Sequence, residues 1–178
     1  DVLQTMTRYS IPLIPTFILW WVVSASDRYM VRYMINPDTN GLYSMAYKIP
    51  TLISIASTIF YQAWQMSAIS EYNSEGARKF YSKVFEAYQS MMYIASGGIL
   101  LFLQVFTNIL IDEKMRSSYQ YAPFLVIGVL MSCFCQFLSS VYSASKSTKN
   151  SFWTSMIAAV ANIALNFLLI PLWGDQGA

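Results

Sequence analysis

The sequence predicts an all-α protein: a polytopic transmembrane helix bundle of about five membrane helices. Three observations predict it. Of the 178 residues, 56% are hydrophobic and only 11% are charged, against about a quarter charged in a typical soluble domain. The apolar residues arrive in long blocks instead of alternating with charge, and the mean hydropathy is +0.41. Short polar turns separate most of the blocks. A bilayer core needs about 20 mainly apolar residues in helical form, and the blocks at 11–34, 41–70, 85–111, 121–145 and 151–173 meet that length.

The first block runs through "IPLIPTFILWWVVSASDRYMVRYM" and ends at the turn "INPDTN". Pro12 and Pro15 in it, and Pro50 at the entrance of the second, predict kinks, because proline removes a backbone donor and crowds the preceding turn. The stretch "EYNSEGARKFYSKV" predicts a charged amphipathic helix over 71–84, connecting two blocks and lying at the membrane surface. A single span follows over 85–111. The fourth block reaches "KSTKN", which predicts the turn into the fifth, and Pro171 is expected to close that last helix. Lysine and arginine bias sets the orientation. With the N-terminal end cytoplasmic, Arg8, Arg78, Lys79, Lys83, Lys146 and Lys149 lie inside and Arg32, Lys114 and Arg116 outside, six against three. The chain opens at Asp1 and closes on "GDQGA", and reads as an internal piece of a longer protein.

Composition also excludes function classes. A net charge of +2 with no basic stripe does not suit nucleic acid. The absence of histidine removes the commonest general base and metal ligand. Cys133 and Cys135 are two apart in an apolar block, so on a helix they diverge and read as small buried hydrophobes.

Each block carries a polar side. Neighbours four and seven apart share a helix face. Trp20, Ser24, Asp27 and Val31 fall together on the first, with Ser24, Arg28 and Arg32 beside them. Ser44, Lys48, Thr51 and Gln62 fall together on the second, and Gly97, Gln104 and Asn108 on the third. The fourth has Ser132, Gln136, Ser140 and Ser143; the fifth has Ser151, Ser155, Asn162 and Asn166. Small and amide residues at this spacing serve helix packing. The charges demand more. A charge near the middle of a span costs about 2.5–3.5 kcal/mol unless paired or wetted. Asp27 precedes the end of its block by as many residues as Lys48 follows the start of the next, so both lie about 10 Å inside the same membrane face. A structural ion pair between them is one reading. It leaves Arg28 over, and a guanidinium suits a phosphate oxygen.

Those residues also carry a resemblance. The succession "SDRYMV", "NGLYSMAYKIP", "FYQAWQ" and "ANIALNFLLIPLWGDQGA" resembles the second half of bacterial polysaccharide flippases. These belong to the MOP exporter superfamily, which also contains the lipid II flippase and the MATE drug exporters. The last motif is the most specific, with Asn162, Asn166, Leu169-Ile170-Pro171, Gly174 and Gly177-Ala178 in place. The resemblance implies that the five blocks are helices seven to eleven of a two-lobe transporter, a partial C-terminal lobe. It further implies alternating-access transport of an undecaprenyl-pyrophosphate-linked oligosaccharide across the bacterial inner membrane, with no enzymatic activity. The implied partners are that glycan lipid, the bilayer and an N-terminal lobe of the same chain. No cofactor is implied, and coupling to a sodium or proton gradient stays open. Arg28 and Lys48 match the cationic cavity of such proteins; Asp27, Gln62, Asn162 and Asn166 complete the candidate substrate site.

Three rival readings stand beside it. A MATE-type exporter of organic cations calls for an acidic cavity, and Asp27 is the single carboxylate deep inside a block, Glu86 standing at the very start of the third. A membrane-bound glycan-modifying enzyme calls for histidine or clustered carboxylates. A scaffold without transport is compatible with the polar stripes alone.

Overall fold

In the computed structural model the described residues are Thr7, Ile11, 13–34 and 37–173, and no strand occurs among them. The helices are α1 (Leu13–Met34), α2 (Pro37–Ala46), α3 (Lys48–Glu71), α4 (Ala77–Leu101), α5 (Leu103–Leu110), α6 (Ala122–Ala144) and α7 (Thr148–Trp173), with a 3-10 helix at Glu113–Tyr121 before α6. Among the described residues two helical stretches, Glu113–Ala144 and Thr148–Leu172, are long and apolar enough to cross a membrane. The bent pair α4–α5 makes a third if it counts as one span.

The blocks of the sequence recur as helices, with five local corrections. Residues 37–40, expected in a turn, open α2, because proline fits the first helical position, where no N–H partner is needed. The second block is interrupted at Tyr47. Pro50 has no N–H to offer the Ala46 carbonyl, so the ladder breaks there; it resumes as the Thr51 amide donates to Tyr47 at 3.2 Å. Pro15 stands in the first turn of α1, where the missing donor costs nothing, and Pro12 lies outside the described residues. The connection over 71–84 is not a separate surface helix: 72–76 are non-helical, and 77–84, helical as expected, are the opening turns of α4. Pro171 lies inside α7, which runs on to Trp173. A proline in a last turn forfeits one hydrogen bond without ending the helix.

The fifth correction is the largest. The expected third span is not straight but bends by 73° between α4 and α5. The break is at Phe102, with φ −100° and ψ 21°, whose amide still donates to the Gly98 carbonyl. It follows the run Ser96-Gly97-Gly98, the composition at which helices bend most readily. A Cβ on Gly97 or Gly98 would meet nothing within 4 Å, so close packing does not explain these glycines.

The chain forms two compact units, Asp1–Gly41 with Lys146–Ala178, and Leu42–Ser145. In the first, α1 packs along α7. In the second, α3 packs chiefly on α6, and α4 also leans on α6. The core of the second unit is aromatic. Trp64 stacks on Phe137 at 4.8 Å between centroids, Tyr88 on Phe137 at 5.3 Å, and Phe60 on Tyr88 at 4.7 Å. Each such pair contributes about 0.5–1.5 kcal/mol beyond its burial. Large apolar side chains such as Phe17, Trp21, Ile59, Ile94, Leu168 and Leu172 point outward, as suits a lipid solvent.

Candidate functional site

The sequence singles out Asp27, Arg28, Lys48, Gln62, Asn162 and Asn166, and the fold divides them. Asp27, Arg28, Asn162 and Asn166 belong to the unit built on α1 and α7; Lys48 and Gln62 belong to the other. Asp27 and Arg28 lie within α1, and their side chains fall outside the described residues, as does the Asp27–Lys48 pairing. The neighbouring residue is described. The Ser26 hydroxyl lies 2.9 Å from the Val23 carbonyl on its own helix and 3.3 Å from Asn162 Oδ1 on α7. Asn166, one turn beyond Asn162, is 3% exposed. Both asparagines therefore turn toward protein, as expected for amides in an apolar helix.

Lys48 is the first residue of α3 and is exposed; Gln62 is exposed further along the same helix. Ser44 lies before the interruption at Tyr47, and the Thr51 hydroxyl turns back to the Tyr47 carbonyl at 2.7 Å. Gln104 and Asn108 share an exposed side of α5, but the bend at Phe102 removes Gly97 from their row.

The polar contacts inside the second unit join stripe residues of α6 to residues that the stripes did not nominate. Ser57 on α3 and the Tyr88 hydroxyl on α4 are 2.7 Å apart. Ser57 also reaches Gln136 Oε1 on α6 at 3.5 Å, and Tyr88 approaches the Cys133 carbonyl at 3.4 Å. The indole N–H of Trp64 donates to Ser140 on α6 at 2.9 Å. Tyr81 donates to the Ala68 carbonyl at 2.6 Å, closing the short turn between α3 and α4. Gln136 and Ser140 were visible as the α6 stripe; Ser57, Trp64 and Tyr88 were not. Their signal is two polar-tipped aromatics amid apolar blocks, which periodicity alone does not match to partners. The hydroxyls of Ser96 and Ser118 are buried without a partner among the described residues.

Chemically, the second unit offers neutral groups, some paired with one another and two, the Ser96 and Ser118 hydroxyls, buried without a partner among the described residues. No cluster of metal-ligating side chains occurs among the described residues. Cys133 is buried and Cys135 exposed, so only the first fits the expectation of a buried small hydrophobe. On α6 the two positions lie about 200° apart, which carries Cys135 to the outer side. Compared with known family models, curated proteins and solved structures, the chain has no match.

Proposed function

We propose that this chain is part of the C-terminal lobe of a flippase. It moves an undecaprenyl-pyrophosphate-linked oligosaccharide (an O-antigen, capsule or exopolysaccharide repeat unit) across the bacterial cytoplasmic membrane by alternating access. In this reading the blocks at 11–34, 41–70, 85–111, 121–145 and 151–173 are five membrane segments, equivalent to helices seven to eleven. The 71–84 connection and the 146–150 turn face the cytoplasm, and an N-terminal lobe supplies the other half of the cavity. A sodium or proton gradient is the candidate drive.

The observation that carries the reading is the contact between Ser26 and Asn162. Ser26 immediately precedes Asp27 and Arg28, so the acid–base pair lies one residue from a polar contact between two apolar helices. Arg28 supplies a planar, permanently charged fork for pyrophosphate oxygens, and Asp27 orients it. Asn162 and Asn166 contribute neutral donors and acceptors for sugar or phosphate. Lys48 and Gln62 are exposed on α3, in the other unit.

Binding of undecaprenyl pyrophosphate to the intact purified protein tests this. The expected result is preference for the pyrophosphate over undecaprenol, with Arg28→Ala weakening binding roughly 10- to 100-fold, the worth of a charge-assisted contact. Equal affinity for the phosphate-free lipid overturns the reading. Binding of a small organic cation that is lost with Asp27→Asn would replace it with a MATE-type exporter.

A further inference from the structure

We infer that α5 lies in the plane of the bilayer surface, seated in the interface of the leaflet opposite the 72–76 turn, and does not continue the crossing begun by α4. The inference rests on the membrane reading of α4 and goes beyond it. Three sides of the short helix carry the argument. Leu103, Phe106, Thr107 and Leu110 face the protein, half-buried or buried. Val105 and Ile109, with Phe102 at the N-cap, form an apolar side that is 53%, 74% and 56% exposed respectively. Gln104 and Asn108 form the third side and are exposed. At about 100° per residue, the apolar and polar exposed sides adjoin each other. One side suits protein, one acyl chains and one water, which is the pattern of an interfacial helix.

The geometry agrees. Leu101, at the end of α4, is likewise apolar and 79% exposed. The 73° turn then takes the helix away from the crossing direction. The stretch from Phe85 to Leu101 gives about 17 residues, the short end of what a bilayer crossing needs. Helix α4 reaches the length and apolarity of a span only when α5 is counted with it, so its crossing is the premise of the inference. Directly after α5 come Asp112, Glu113 and Lys114, all exposed, which belong in water or among headgroups. Carried straight on, Gln104 and Asn108 would be driven further along the membrane normal; laid flat, they stay at the polar boundary.

The two arrangements predict different depths. From Leu103 to Leu110 a helix continuing α4 advances about 10 Å along the membrane normal, whereas one bent by 73° from an upright α4 advances about 3 Å. Spin labels placed singly at 104, 105, 108 and 109 in the reconstituted intact protein measure this through oxygen and water-soluble relaxant accessibility. The background carries Cys133→Ala and Cys135→Ala, and a label at Ile94 serves as the control for insertion. The expected result is nearly equal depth for 105 and 109, both oxygen-accessible, with 104 and 108 open to the water-soluble relaxant. A steady depth gradient across the four positions, with Ile94 in the acyl region, overturns the in-plane helix and leaves the membrane reading standing. An Ile94 label without access to the acyl region overturns both.

Discussion

The two units of this chain spend their polar residues differently. In the Leu42–Ser145 unit the apolar window of Glu113–Ala144 is 39% buried against protein, and the buried polar groups are neutral: Ser57 pairs with Tyr88 and Trp64 with Ser140, while the Ser96 and Ser118 hydroxyls have no partner among the described residues. In the unit of α1 and α7 the window of α7 is only 17% buried, and the sequence there holds an acid, a base and two asparagines. Neutral pairs between helices fasten them together. Ionisable residues in an apolar helix such as α1 are costly to keep, and their retention calls for a ligand, a wet cavity or each other. Under the proposed function, the Leu42–Ser145 unit is therefore the place to look for packing, and the unit of α1 and α7 the place to look for chemistry.

Substitutions can break or sharpen that contrast. The largest expected effect is Trp64→Ala, which removes a buried indole stacked on Phe137 and bonded to Ser140. A loss of about 3–5 kcal/mol is expected for such a truncation. It should appear as reduced abundance and thermal stability, with export per surviving molecule unchanged; normal stability would show that the aromatic core is not the fastening. A smaller effect is expected for Tyr88→Phe, which keeps the ring and deletes the hydroxyl facing Ser57. Hydrogen bonds between membrane helices contribute about 0.6 kcal/mol on average. A double-mutant cycle with Ser57→Ala, read by thermal denaturation in detergent, should return coupling of that size. Additive single effects would mean the pair does not interact.

The sequence made the all-helical fold legible because apolar blocks of bilayer length leave few alternatives. It located α1, α6 and α7 within a few residues. It did not locate the bend at Phe102, since Ser96-Gly97-Gly98 lies in an unbroken apolar run and hydropathy carries no information on direction. Nor did it locate the Ser57–Tyr88 and Trp64–Ser140 contacts. Periodicity assigns a residue to a face of its own helix, but which faces meet depends on packing across the unit. For the candidate site, the contact of Asn162 with Ser26 is consistent with the α7 stripe. Lys48, by contrast, was matched to Asp27 on depth alone, and its exposed position at the start of α3 leaves it open to solvent.

The central claim is that the α1–α7 unit works on an anionic lipid through Arg28, while the other unit supports it. Glycan export per inserted molecule, measured in cells whose only copy of the intact protein carries Arg28→Ala or Arg28→Lys, tests it most directly. The account predicts normal insertion and abundance for both, near-complete loss of export for alanine, and partial recovery for lysine, which keeps the charge but not the bidentate fork. Export at the wild-type rate per molecule in Arg28→Ala would contradict it.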